Sequence, residues 1–227
     1  MSVGSPNTAI VSLGMSCQSA RQIRSSVEIM SDALAEEFVP ERHFFDGLIS
    51  PIAGMAQLFE DGFPIFKRGD ITPGPGHPTW QPYGIRFLHH FRAEPGGNAD
   101  IAAHFDEDLS RFSYLRDKFV ALKKRHRVVF VISNSQNNLD EVARDTGIER
   151  LHFDRGELER LQKAVDAFMG RACEYLVVSH PKRHGGVELP HLAILEADDS
   201  EWTGDKKQWR KLFRRYLQTG SVDPFAV

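Results

Sequence analysis

The stretch Arg127-Val128-Val129-Phe130-Val131-Ile132-Ser133 constrains this chain more than any other. Its apolar residues are continuous instead of alternating, so a strand built from it must be covered on both faces. Shorter runs of similar character lie at Ala9 to Leu13, at Tyr175 to Ser179 and within His191 to Glu196. Between the runs lie helical patterns: Met15 to Arg24, Asp100 to Arg125 with a bend near Ser113, Leu139 to Thr146 before Gly147, and Leu158 to Met169 before Gly170. Asp205 to Leu217 closes the chain, with Trp209, Leu212, Phe213 and Tyr216 on one face and a basic outer face, a pattern that docks onto a core. Strands alternating with helices predict an α/β fold with a mostly parallel sheet flanked by helices.

Residues 38–98 have a different texture. Phe38 to Phe91 holds 8 of the 16 Phe, which anchors the segment, yet a helix signal occurs only at Ser50 to Glu60, with Pro51 at the first helical position. Gly69 to Pro78 is rich in turn residues, and Tyr83 to Phe91 has the pattern of a short strand. The expectation is an irregular, Phe-rich, cap-like segment within a single α/β domain spanning 1–227.

At 227 residues and 41% hydrophobic, the chain can bury a core without disulfides or metals. Its 28 basic and 31 acidic residues give a net charge of −3, which argues against a nucleic-acid partner. No stretch approaches the ~18 apolar residues of a membrane span. Met1 to Asn7 lacks a secretory signal pattern, and two cysteines make no disulfide framework. A soluble cytoplasmic protein with no membrane partner is expected. Nucleotide-binding Gly motifs are missing, so no cofactor is expected. His180 and His184 would need a helix to share a metal with His191. Pro181, Gly185 and Gly186 favour a loop there, so no metal is expected either. The pattern specifies no oligomeric state.

Gly14 to Cys17 falls at the carboxyl end of the first strand, where ligands collect in open α/β sheets. A thiol in the first turn of a helix feels the positive end of the macrodipole, which lowers its pKa and favours the thiolate. Ser16 is the expected N-cap, and free first-turn N–H groups could bind an oxyanion. A free cysteine also packs as a small hydrophobe, which is the reading for Cys173 ahead of its buried strand. A thiol nucleophile needs a base, usually His, and an orienting group. His89 and His90 would point to opposite sides of a strand. Asp46, between Phe45 and Leu48, is a carboxylate in an apolar setting and must find a partner. Ser133 to Asn138 follows the central strand on the same edge, with Asn134 able to hold a substrate and Asn138 able to cap the next helix.

Three blocks carry a resemblance. They are Val11-Ser12-Leu13-Gly14-Met15-Ser16-Cys17-Gln18 with Ala20 and Arg24, Phe45-Asp46-Gly47-Leu48-Ile49-Ser50-Pro51, and Tyr83-Gly84-Ile85-Arg86-Phe87-Leu88-His89-His90-Phe91. In order and spacing, across roughly residues 9–135, they resemble an uncharacterised, mainly bacterial family catalogued as papain-like cysteine peptidases. Phe44 and Gly47 stand where that family usually has Pro and Trp, and His90 stands where it usually has Asp. The resemblance implies a constellation of Cys17, His89 and Asp46, with Asp46 as the orienting carboxylate. It also implies the alternative fold, a papain-like α+β arrangement with the Cys helix against a mostly antiparallel sheet.

The function expected is therefore a thiol-dependent hydrolase or acyl transferase acting on a small-molecule or peptide substrate. Ser16, Gln18, Asn134 and His90 are its expected substrate-binding residues. Two alternatives use the same mouth: a serine-type or glycan-linked α/β enzyme relying on Ser12, Ser16 or the Asn134 loop, and a non-catalytic module binding a small anion or glycan.

Overall fold

The computed structural model describes residues 7–74, 76–94, 96–148, 151–196 and 201–223. The N-terminal residues 1–6, Pro75 in the 69–78 turn and Pro95 in the 38–98 segment lie outside the described residues. The chain runs β1 (Thr8–Ser12), α1 (Gln18–Ser25), α2 (Val27–Leu34), β2 (Leu48–Ile49), α3 (Ile52–Glu60), β3 (Ile71–Pro73), β4 (Pro78–Trp80) and β5 (Ile85–Phe87). It continues with α4 (Ile101–Ala121), β6 (Arg127–Ser133), α5 (Leu139–Thr146), α6 (Arg155–Met169), β7 (Glu174–Ser179), β8 (Leu192–Ile194) and α7 (Lys206–Thr219).

Strands β1, β6, β7 and β8 form one sheet in that order, and every pairing is parallel. The unbroken apolar runs are explained by what lies on either side. Ile10, Val129, Val131, Leu176 and Val178 pack with Ile23 of α1, Met30 of α2 and the Trp209, Leu212, Phe213 and Tyr216 stripe of α7. Their neighbours Val11, Val128, Phe130, Ile132, Tyr175 and Val177 face the opposite way, into a core shared with α3, α4 and α6. Burying each such side chain is worth roughly 1.5–3 kcal/mol. The sheet is the parallel one expected, and the alternative of a Cys helix against a mostly antiparallel sheet does not describe it.

The 38–98 segment departs from expectation. It holds a second, antiparallel sheet in the order β2-β5-β4-β3, along with α3. Seven of its phenylalanines are buried in the main core, and Phe44, Phe45, Phe59 and Phe63 stack edge-on and face-on with one another and with Phe112 and Phe119 of α4. Aromatic pairs at these spacings add about 0.5–1.5 kcal/mol each beyond area burial. The segment is thus core as much as cap.

Smaller departures concern element ends. Helix α4 runs unbroken through Ser113, started by an Asp100 side chain that accepts the Ala103 N–H. Pro51 is the N-cap of α3 instead of its first residue, β8 is shorter than the pattern, and α2 forms where no helix is expected. Asn138 sits at the N-cap of α5, where its Oδ1 accepts from Gln136 Nε2 and makes no capping bond. Among the described residues no helix is long and apolar enough to cross a membrane.

Candidate active site

The elbow between β1 and α1 is built from conformations that most residues avoid. Gly14 has φ +89°, and a Cβ there would lie 3.2 Å from both Cβ and Oγ of Ser50. Met15, also left-handed at φ 61°, is buried. A side chain in that region costs roughly 1–2 kcal/mol, a strain tolerated where surrounding structure fixes it. The fixing contacts are local: Ser12 Oγ accepts the Gly14 N–H and bonds Ser19 Oγ at 2.7 Å. Cys17 is the N-cap of α1, one residue later than expected, while Ser16 Oγ still accepts the N–H of Gln18.

This elbow opens onto a pocket of about 470 Å3 lined by Cys17, Arg21, Arg24, Arg42, Asp46, Gly47, His89 and Trp202. Cys17, Arg21 and Arg24 are spaced by four and three residues, so they share one face of α1. Arg42, Asp46 and Gly47 come from the turn before β2, His89 from the loop after β5, and Trp202 from the approach to α7. Cys17, Asp46 and His89, expected together, do line one pocket.

Their partners differ from expectation. Asp46 is buried, and its Oδ2 accepts from Arg24 Nη1 at 3.1 Å and from the His43 N–H at 3.2 Å. Among the described residues it receives no hydrogen bond from His89. Burial pushes its carboxyl up to about 6, against the His43 N–H, Arg24 and Arg42, which pull it down. His89 is exposed at the rim; burial of part of its ring, with His90, Arg92 and Arg42 nearby, holds it below the ordinary imidazole value. It is therefore neutral at neutral pH and able to accept a proton. Burial also pushes the Cys17 thiol above its ordinary value, although its own N–H, Arg24 and Arg21 oppose that shift. This corrects the expectation of a lowered thiol: the dipole and cations are present, but desolvation outweighs them. Cys173 lies higher still, pushed up to about 11 by burial and by Asp166.

The expected substrate-binding residues lie elsewhere. Gln18 is fully buried, its Oε1 accepting from Ser133 Oγ and Ser135 Oγ while its Nε2 donates to the Thr203 carbonyl. Asn134 is likewise buried, donating to the carbonyls of Leu151 and Arg183 and accepting from Ser179 Oγ. Gln18 ties α1 to the carboxyl end of β6, and Asn134 ties that end to β7; neither lines the pocket. Ser12 and Ser16 are buried and do not line it either.

His90 is buried against Asp108 of α4, its Nδ1 2.9 Å from Oδ1, and the same carboxylate accepts the Phe91 N–H. Burial works to raise Asp108, but these bonds prevail and hold it below its ordinary value. Asp108 thus clamps residues 90 and 91 and anchors the loop that carries His89. The strand expected over residues 83–91 covers only Ile85–Phe87, so the two histidines diverge through a bend. In the His180 loop, His180 Nδ1 accepts the Lys182 N–H, and His191 contacts Gln162.

Arg21, Arg42 and Trp202 were not read from the sequence. The i, i+4, i+7 stripe of Cys17, Arg21 and Arg24 was a legible signal; Arg42 and Trp202 carry none. Comparison with protein-family models, curated proteins and solved structures finds no match to this chain.

Proposed function

We propose that the protein is a thiol-dependent hydrolase or acyl transferase, with Cys17 as nucleophile and His89 as base, acting on a small-molecule or peptide substrate. One observation carries this reading: three segments far apart in sequence bring a thiol, an imidazole and a carboxylate to one pocket beside the first parallel strand. His89 takes the Cys17 proton as sulfur attacks a carbonyl carbon and a C–S bond forms. The displaced C=O electron pair settles on oxygen beside the Arg21 and Arg24 guanidiniums. Collapse expels the leaving group, which takes its proton from the His89 imidazolium. Water then attacks the thioester with His89 accepting its proton, and the thiol departs reprotonated; another nucleophile in place of water gives transfer. Asp46 is a positioning residue here, holding Arg24. Two free cysteines suit a reducing, cytoplasmic compartment.

The raised Cys17 thiol favours a second reading, a module that binds its ligand without attacking it. A panel of activated esters, thioesters and amides separates the two. Wild type should turn over at least one class and show an acyl adduct on Cys17 by intact mass, and Cys17→Ser should do neither. Turnover that survives in Cys17→Ser, or a wild type inert across the panel, would overturn the hydrolase reading.

A further inference from the structure

We infer that the substrate carries a dianionic phosphoryl group, held by Arg21, Arg24 and Arg42 beside Trp202. The inference rests on this pocket being the site, and it names what the site recognises. Three guanidiniums line a pocket of about 470 Å3, and among its described lining residues Asp46 is the one carboxylate. Among the described residues only Arg24 pairs with it, at 3.1 Å. Arg21 and Arg42 form no ion pair among the described residues, and Arg21 stacks over the Trp202 ring at 5.6 Å.

Several arginines elsewhere in the chain are held by carboxylates. Arg127 grips Glu174 through two nitrogens, Arg160 does the same with Glu60, and Arg183 reaches Asp140. Among the described residues Arg21 and Arg42 have no such carboxylate, so two positive charges there line a concave surface without an ion-pair partner. Clustered like charges with low-dielectric walls concentrate an oppositely charged ligand.

The guanidinium fork matches phosphate oxygens in pairs, and stacking on Trp202 pre-orients one fork. The excess of two charges among the described lining residues is neutralised by a dianion, whereas a single carboxylate leaves one behind. Cys17 shares the helix face of Arg21 and Arg24, one turn away, so a phosphoryl group on these arginines leaves the remainder of the substrate within reach of sulfur. The volume exceeds what a phosphate fills, leaving room for an attached acyl portion.

The test uses the full chain and inorganic phosphate, with sulfate and acetate as comparison arms, in low-salt buffer. Cys17→Ser is titrated by calorimetry, so that binding is read without any chemistry at sulfur. Phosphate should bind saturably, sulfate comparably and acetate at least tenfold more weakly, with affinity falling as salt rises. Arg21→Gln and Arg42→Gln, both substitutions of exposed side chains, should each weaken phosphate roughly tenfold, the scale of a charge-assisted pair. Arg24→Lys, which keeps the charge beside Asp46, should weaken it less than Arg21→Gln does. In wild type, phosphate should also slow alkylation of Cys17 by neutral iodoacetamide while leaving Cys173 unaffected.

Failure of phosphate to bind, equal binding of acetate, or affinities indifferent to both Gln variants would overturn the inference. If Cys17 turns over acyl substrates in such a protein, the hydrolase reading survives it. If phosphate binds and no acyl substrate is turned over, the inference stands and the hydrolase reading falls.

Discussion

Replacing Asp46 with Asn should stabilise the protein at neutral pH, and the gain should vanish in acid. Asp46 is 6% exposed, while its partner Arg24 is 46% exposed. The cation is therefore screened by solvent while the carboxylate bears nearly the full cost of burial. That imbalance lifts the carboxyl from 3.8 to about 6. A difference of about two units, at 1.36 kcal/mol each, is on the order of 3 kcal/mol. The folded state binds a proton more tightly than the unfolded one, so stability falls as pH rises from about 4 to about 6. Above that window the full penalty is present; below about 4, both states are protonated and it is gone.

Asn mimics the neutral acid in shape and can still accept the His43 N–H. Urea denaturation of wild type and Asp46→Asn from pH 4 to 8 should thus give curves that nearly coincide at pH 4. At pH 8 they should diverge by about 2–3 kcal/mol in favour of the variant. A wild type more stable than Asp46→Asn at pH 8, or a difference that does not change with pH, would refute the reasoning. It would mean that Arg24 and the His43 N–H more than repay the carboxylate's desolvation.

Two further substitutions probe the site's framework. Gly14→Ala places a Cβ at φ +89° and 3.2 Å from Ser50, so it should cost about 1–2 kcal/mol, read as a lower urea midpoint; an unchanged midpoint would show that the elbow relaxes freely. Gly47→Trp begins from a Cβ that meets nothing closer than 3.6 Å, so the fold should tolerate it while the ring fills the pocket. Iodoacetamide should then label Cys17 at least several-fold more slowly than in wild type, and an unaltered rate would place the ring outside the pocket.

What the sequence revealed depended on the length of the element and on whether its partners were local. The β6 run was legible because seven residues covered on both faces leave a continuous apolar signature. The strands β2 to β5, two or three residues each with Pro73 and Pro78 among them, are too short to show a period of two. Their phenylalanines reveal burial but not a sheet. At the site, Cys17 was marked by the strand, glycine and helix around it, and Asp46 by its apolar neighbours. The partners of Asp46 and His90 were not legible. Arg24 and Asp108 lie 22 and 18 residues away, and only the packing of α1 and α4 decides which carboxylate meets which base.

The protonation of Cys17 and His89 specifies how a reaction here would proceed. Burial raises the thiol and, with nearby cations, lowers the imidazole, so the resting pair at neutral pH is thiol and neutral imidazole. A preformed thiolate–imidazolium pair would need the opposite shifts. Proton removal must then accompany attack, making His89 a general base in the transition state. The turnover rate should rise with pH through the lowered His89 value and stay level beyond it until the thiol itself ionises. Turnover should slow about two-fold or more in heavy water, because the proton is in flight at the barrier. Iodoacetamide labelling of Cys17, which requires the thiolate, should by contrast keep climbing past the ordinary thiol value. Labelling that saturates below that value, together with turnover indifferent to heavy water, would establish a preformed ion pair and show that Arg21, Arg24 and the helix N-terminus outweigh the burial of sulfur.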